Sequence, residues 1–314
     1  MDKTKGRRLF WRSRDFLKRG VSAMAANEII IRGLDQFYGR RQALRGINLT
    51  IRPGMFGLLG RNGAGKTTLM RTLATLLETR HGSVSVCGVD IRRASEIRQI
   101  TGYLPQGFSM YPSMTVTEAL DYLGILSGMS TAARAVRIPE LLRRVNLEEQ
   151  RDKRVKSLSG GMKRRLGIAQ ALLHEPKVLI VDEPTAGLDP EERIRFRNLL
   201  CEVAEDRVVL LSTHIVGDIE AACEDIAVLD QGELVYSGTV RELLRRAEGT
   251  VFSAFVPREE MAAFKKKYPV TSMVSQGDGS QVRFLCQEEP PAGAQPCQPG
   301  VEDAYLLCLG GEGE

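Results

Sequence analysis

Three short stretches of the chain carry residue types that handle phosphate. Gly60-Arg61-Asn62-Gly63-Ala64-Gly65-Lys66-Thr67 fits G-x-x-x-x-G-K-[ST]. Glycines at these spacings let successive backbone N–H groups turn inward around phosphate oxygens, and a helix starting behind them adds favourable potential. Lys66 can reach the β- and γ-phosphates, and the Thr67 hydroxyl can ligate magnesium. Val178-Leu179-Ile180-Val181-Asp182-Glu183 delivers two carboxylates at the end of an apolar run. Asp182 suits a water-mediated hold on the metal ion, and Glu183 suits a general base that polarises the attacking water. Leu158-Ser159-Gly160-Gly161-Met162 places a hydroxyl and two glycines ahead of a helical stretch, a second anion site. An ordinary helix cap is the alternative for Ser159, as a solvated strand end is for the carboxylate pair. Because residues 60–67 already hold one set of phosphates, a second phosphate-binding cap makes sense if it faces the nucleotide of another copy.

Such chemistry needs a rigid frame, and the hydrophobic patterning supplies one. Residues 29–31, 47–51 and 55–59 read as strands, with a turn at Tyr38-Gly39-Arg40-Arg41, and the third run ends in the glycine-rich loop. Leu69, Leu73, Leu76 and Leu77 follow at helical spacing. Residues 83–87 and 100–104 read as further strands, and residues 115–175 carry helical periodicity with Leu120, Leu123, Leu141 and Leu142 as core candidates. The apolar runs 178–181 and 208–211 read as buried parallel strands, which puts Asp182 and Glu183 at a carboxyl end, where α/β ligands bind. A hairpin around Asp230-Gln231-Gly232 closes this part. The pattern predicts an α/β core interrupted by an all-helical insertion. Beyond residue 245 the expected order is strand (251–256), helix (258–268), two strands (270–274 and 281–286), a linker with four prolines (288–300) and a last short helix (302–309). The chain thus divides into a basic extension (1–26), a main domain (27–245) and a small accessory region (246–314).

The 314 residues, 43% apolar and 26% charged, suit an ordinary globular protein of one large domain and a small appendage, or of two ordinary domains. No run of 18 or more uncharged apolar residues is present, so the chain needs another polypeptide to supply any membrane pore. The net charge of +5 comes from residues 1–23, whose eight Lys/Arg outweigh two Asp, while the remainder is close to neutral. That asymmetry argues against a nucleic-acid partner. The basic segment, with Phe10, Leu17, Val21 and Met24 at near-helical spacing, reads as an amphipathic helix on an anionic membrane surface, a disordered basic arm, or a stretch ahead of a start at Met24. Six scattered cysteines form no CxxC pair and no zinc-type cluster, as expected of reduced thiols in a cytosolic chain. No secretory cleavage pattern is visible. His81 and His174 have no motif around them.

In order and spacing, residues 27–245 resemble the ATPase subunits of ABC (ATP-binding cassette) transporters. Residues 60–67 match the family's Walker A loop, 178–183 its Walker B strand and 158–162 its LSGGQ-type signature, with Met162 in place of the commoner glutamine. The resemblance implies a P-loop NTPase core of ABC type, an α/β fold with an antiparallel β subdomain and the all-helical insertion at about residues 107–157, downstream of Gln106, plus a small C-terminal α+β region. It implies ATP and Mg²⁺ as ligands. The nucleotide is expected on Tyr38 (stacking on adenine), Gly60, Asn62, Gly63, Ala64, Gly65, Lys66, Thr67 and Thr68 of one chain, and on Ser159, Gly160 and Gly161 of another. Asp189, in Gly187-Leu188-Asp189-Pro190, matches the loop that crosses the dimer interface. Glu183, His214 (a γ-phosphate switch), Gln106 and Lys66 are the implied catalytic set, and Thr67, Gln106 and Asp182 the implied metal set.

The run Leu158 to Leu173 and the tail Val301-Glu302-Asp303-Ala304-Tyr305 look most like drug- and antibiotic-exporting members that pair with separately encoded membrane subunits. The implied protein is a homodimer of ATPase subunits on the cytoplasmic face of the membrane, docked on a separate transmembrane permease and powering an exporter. The other reading is an ATP-switched ABC protein that acts on a ribosome or assembly partner with no membrane subunit. Relatives of that kind usually carry two cassettes or long coiled coils, whereas this chain has one uninterrupted cassette. A degenerate regulatory cassette is disfavoured because no expected catalytic residue is missing.

Overall fold

The computed structural model describes residues 27–310, so the expectations for the basic N-terminal segment lie outside the described residues. The central layer is a six-stranded sheet. Its parallel strands are β3 (Gly54–Leu59), β6 (Thr101–Leu104), β7 (Val178–Asp182), β8 (Val208–Thr213) and β9 (Asp225–Asp230), and its antiparallel edge is β10 (Glu233–Thr239), in the order β10-β9-β3-β8-β7-β6. β7 and β8 are buried at every position because both sheet faces are covered. Alternate residues split between the two faces. Val178, Ile180, Val208 and Leu210 pack toward one core, and Leu179, Val181, Val209 and Leu211 toward the other.

The first core is covered by an antiparallel sheet of β1 (Ile29–Tyr38), β2 (Arg41–Ile51), β4 (His81–Val86) and β5 (Val89–Asp90), in the order β2-β1-β4-β5. Between the sheets lies α1 (Lys66–Leu73), with α2 (Ala94–Ile100) beside it. The helical pattern through Leu76 and Leu77 breaks early: α1 stops at Leu73, Thr75 takes φ +58°, and Leu76 is exposed. The second core is covered by helices. They are α3 (Val116–Leu126), α4 (Thr131–Arg144), α5 (Gly160–Leu172), α6 (Pro190–Ala204), α7 (Val216–Ala222) and α8 (Val240–Arg246). α3 begins with a capping box between Thr115 and Glu118 and α4 with the Ser130 cap, each satisfying orphan N–H groups of a first turn.

Residues beyond α8 form a third sheet, antiparallel throughout, of β11 (Val251–Pro257), β12 (Val270–Gln276), β13 (Gly279–Leu285) and β14 (Gln295–Pro296), in the order β12-β13-β11-β14. α9 (Met261–Lys267), shorter than the pattern predicts, packs Phe264 edge-on against Phe284. The proline-rich stretch expected as a linker contributes β14, which pairs with Phe252 and Ser253. Pro296 is tolerated there because an edge strand needs no N–H on its outer side. α10 (Val301–Cys308) ends the described chain, and its Val301 and Ala304 are buried in the second core beside α7 and α8. Among the described residues all six cysteines are free, and no helix is long and apolar enough to cross a membrane.

Candidate active site

The phosphate-type loop leaves β3 and enters α1, so its glycines sit at the carboxyl end of the central sheet. Gly65 has φ +108°, and a Cβ there would stand 2.8 Å from Leu44 Cδ2 and 3.0 Å from Ala43 O, so the loop conformation demands glycine. The turn after β9 braces the same loop: Gly232 N–H donates to Ala64 O (3.0 Å), and Arg45 N–H donates to Gly232 O (2.8 Å). Hydrophobic patterning marks that hairpin as a closing turn, and only the fold reveals it as a buttress.

Lys66 is 5% exposed. Its Nζ donates to Gly60 O (2.6 Å) and Arg61 O (3.2 Å) and lies 3.6 Å from Glu183 Oε1. Burial pulls its pKa below the ordinary lysine value, against the opposing pull of Glu183 and Asp182. Glu183, 7% exposed, follows β7 in the left-handed region at φ +46°, its N–H held by Ser212 O at 3.0 Å. A non-glycine residue in this conformation costs about 1–3 kcal/mol and marks a place where geometry outranks local stability. Gln106 Nε2 donates to Glu183 Oε2 (3.2 Å), and His214 Nδ1 lies 3.1 Å from the same oxygen. One carboxylate therefore gathers side chains from α1, the segment after β6 and the end of β8. Asp182, fully buried, accepts from Ser212 Oγ (2.8 Å) on Oδ1, while Oδ2 has no hydrogen-bond partner.

These groups border an open cleft of about 1060 Å³. Tyr38, Asn62, Gly63, Gly65, Lys66, Thr67, Thr68, Gln106, Glu183 and His214 all line it, Tyr38 at the end of β1 with an exposed ring. Gly60 and Ala64 support the loop from beneath: Gly60 O holds Lys66, and Ala64 is buried. Asp182 lies under the cleft floor. Arg41, Gln42, Ala43 and Arg45 also line it, and sequence reading passed over them. Their signal was the strand register that pairs Tyr38 with Arg41.

Ser159, Gly160, Gly161 and Asp189 are not in the lining of that cleft. Ser159 caps α5, its Oγ accepting from Met162 N–H (3.2 Å), and Asp189 caps α6, its Oδ1 accepting from Glu192 N–H (2.9 Å). The two caps meet through Glu192, because a Cβ on Gly161 would fall 2.6 Å from Glu192 Oε2. Arg165 lies 3.5 Å from the same carboxylate. Arg164 reaches the other way: its Nη1 donates to Gln106 O at 2.7 Å, joining α5 to the residue that touches Glu183. Sequence reading also missed Arg164 and Ser212.

Residues 44–186 match the family described as ABC transporter. A relative in Bacillus subtilis (strain 168), an uncharacterized ABC transporter ATP-binding protein, is 36% identical over 81% of this chain and 85% of its own length. The chain belongs to the ABC transporter ATP-binding family. A Nod factor export ATP-binding protein I from Burkholderia orbicola (strain AU 1054) is 35% identical over 92% of this chain and 99% of its own, so the similarity runs beyond the cassette. The dimeric structure of a bacterial ABC transporter cassette superposes with a TM-score of 0.61 at 26% identity, over 67% of this chain and 98% of that one. As a member of the ABC transporter ATP-binding family, the chain binds and hydrolyses ATP and couples that reaction to membrane transport.

Proposed function

We propose that this ATPase works as one half of a homodimer, with two ATP molecules sandwiched head-to-tail, and drives export through a separate membrane subunit. The carrying observation is the division of phosphate-binding elements: the cleft under α1 gathers loop, lysine and carboxylate, while Ser159, Gly160 and Gly161 sit outside it. On this reading they complete the cleft of a second copy, with Asp189 crossing beside them. Tyr38 stacks on adenine, Asn62 to Gly65 and Thr68 offer backbone and hydroxyl donors to the phosphates, and Lys66 neutralises the β- and γ-phosphates. Glu183 takes a proton from the attacking water, with His214 and Gln106 holding its carboxylate in place.

The unpartnered Oδ2 of fully buried Asp182 suits a hydrated magnesium ion, with Thr67 and Gln106 as the other protein ligands. Magnesium, when bound, would draw charge from the phosphate oxygens. Hydrolysis then removes the γ-phosphate that joins the two copies, and the dimer reopens.

Export is favoured by the full-length likeness to a Nod factor export protein. The helical insertion exposes Tyr111, Ile125, Leu126 and Val136, apolar side chains of the kind a membrane subunit would cover. Incubating the Glu183→Gln variant with ATP should stop turnover, accumulate dimers on gel filtration and co-purify a polytopic membrane protein from detergent extracts. Undiminished turnover would remove Glu183 from the base role. Recovery with ribosomes alone would overturn the transporter-coupled reading.

A further inference from the structure

Behind Glu183 lies a buried acid with no part in the chemistry described so far. Asp218, in the first turn of α7, is 2% exposed, and Thr185, two residues beyond Glu183, is 3% exposed. Thr185 Oγ1 donates to Asp218 Oδ2 at 2.6 Å, and Asp218 forms no ion pair among the described residues. A carboxylate buried against a hydroxyl, with no cation beside it, costs stability. Its surroundings show what the acid holds. Thr185 and Asp218 form the second of two cross-links between the chain leaving β7 and the chain leaving β8. The first is Ser212, whose Oγ donates to Asp182 Oδ1 (2.8 Å) and whose carbonyl accepts from Glu183 N–H (3.0 Å). Between the cross-links stand Glu183, at φ +46°, and His214, whose Nδ1 lies 3.1 Å from Glu183 Oε2. α7 is firmly seated. A Cβ on Gly57 of β3 would fall 2.4 Å from Ile219 Cδ1 and 3.2 Å from Cys223 Sγ, so the glycine lets the helix settle against the sheet. On the other side, Thr185 O accepts from Leu188 N–H (3.1 Å), closing the turn that leads to Asp189. Glu183, Ala186 and His214 line the cleft, whereas Thr185 and Asp218 are not in its lining.

We propose that Asp218 is a positioning residue for hydrolysis: through Thr185 it fixes the segment that carries Glu183 and keeps that carboxylate against His214. The inference rests on the reading of Glu183 as the base. A strained backbone such as that of Glu183 persists only where its surroundings over-determine it, and the two cross-links do so from either side. The hydroxyl-to-carboxylate bond is charge-assisted, hence stronger and more directional than a neutral one. Neither residue borders the cleft, so the contact acts on turnover and leaves nucleotide binding alone.

The test uses the full chain, steady-state ATPase for kcat and KM, a fluorescent ATP analogue with magnesium for affinity, and proton NMR of the three imidazoles. Thr185→Val cuts the cross-link and should lower kcat about tenfold or more, with KM and analogue affinity within about twofold of wild type. Thr185→Ser keeps the hydroxyl and should restore kcat. The His214 ring signal should shift in Thr185→Val and return in Thr185→Ser, with those of His81 and His174 unmoved. Asp218→Asn keeps a weaker, neutral acceptor and removes a buried charge, so kcat should fall about threefold with no loss of melting temperature. That variant carries the test should Thr185→Val fail to fold. With Glu183→Gln inactive, a wild-type kcat in Thr185→Val or in Asp218→Asn would overturn the proposal. So would an unmoved His214 signal, or a loss in Thr185→Ser as large as in Thr185→Val. Undiminished turnover in Glu183→Gln would instead remove the base reading and the proposal together.

Discussion

Two helix N-termini in this fold face phosphate-type sequence, and they are built differently. α1 starts at Gly65, which has no side chain to cap it and makes no side-chain cap hydrogen bond. Its first N–H groups are left for a ligand, in a cleft already furnished with Lys66, Glu183, Gln106 and His214. α5 starts at Ser159, whose hydroxyl already satisfies Met162 N–H, and Gly160 has open space around it. The first end is a finished pocket in one chain. The second is a stable, exposed surface that gains a role only when something is brought to it. On the proposed dimer reading, hydrolysis would depend on both ends and so on the meeting of two chains, which is what a motor needs if ATP is to produce motion.

Breaking the finished end should have the largest effect. Glu183→Gln should lower kcat about a hundredfold or more with ATP still bound, measured by phosphate release and analogue binding. Gly65→Ala should nearly abolish ATP binding, because the new methyl meets Leu44 and Ala43 in a backbone conformation that alanine resists. A calorimetric titration reads this directly. Smaller effects sharpen the link between the two ends. Arg164→Ala removes the clasp between α5 and Gln106 and should reduce kcat about three- to tenfold with little change in KM.

The finished end was legible in the sequence because its parts are local. Eight consecutive residues define the loop, and Asp182 and Glu183 follow one apolar strand. The order of core strands was legible for the same reason, since buried runs and glycine turns announce themselves over a few residues. The braces were not. Arg164 lies 58 residues from Gln106, and Ser212 lies 30 from Asp182, so only chain topology brings each pair together. Nor does any local pattern signal that Gly232 supports Ala64, or that a proline-rich stretch supplies an edge strand.

The smallest expected effect concerns Asp303 in the first turn of α10, which accepts from Arg283 Nε and Nη2 on β13 and from Gly300 N–H. Burial pushes the Asp303 carboxyl up, but the hydrogen bonds from Arg283 and Gly300 and the Arg283 charge oppose it, and the pKa stands below the ordinary aspartate value of 3.8. A depressed carboxylate contributes stability that is fully present above the unfolded value and is lost as pH falls through the folded one. The stability gap between wild type and Asp303→Asn should therefore be constant near neutral pH and shrink only below about pH 4. Chemical denaturation across that range checks it.

The division of labour between the two helix ends is tested most directly by mixing two inactive chains. Lys66→Ala disables the phosphate loop and leaves the Ser159 surface intact, while Gly160→Asp places a negative charge at that surface and leaves the loop intact. Each alone should be inactive. Mixed in equal amounts, they should recover about a quarter of wild-type ATPase activity, because half of randomly paired dimers carry one intact composite site of two. A mixture as inactive as its components, with mixed dimers demonstrated by differential tagging, would contradict the account and place the whole active site within one chain.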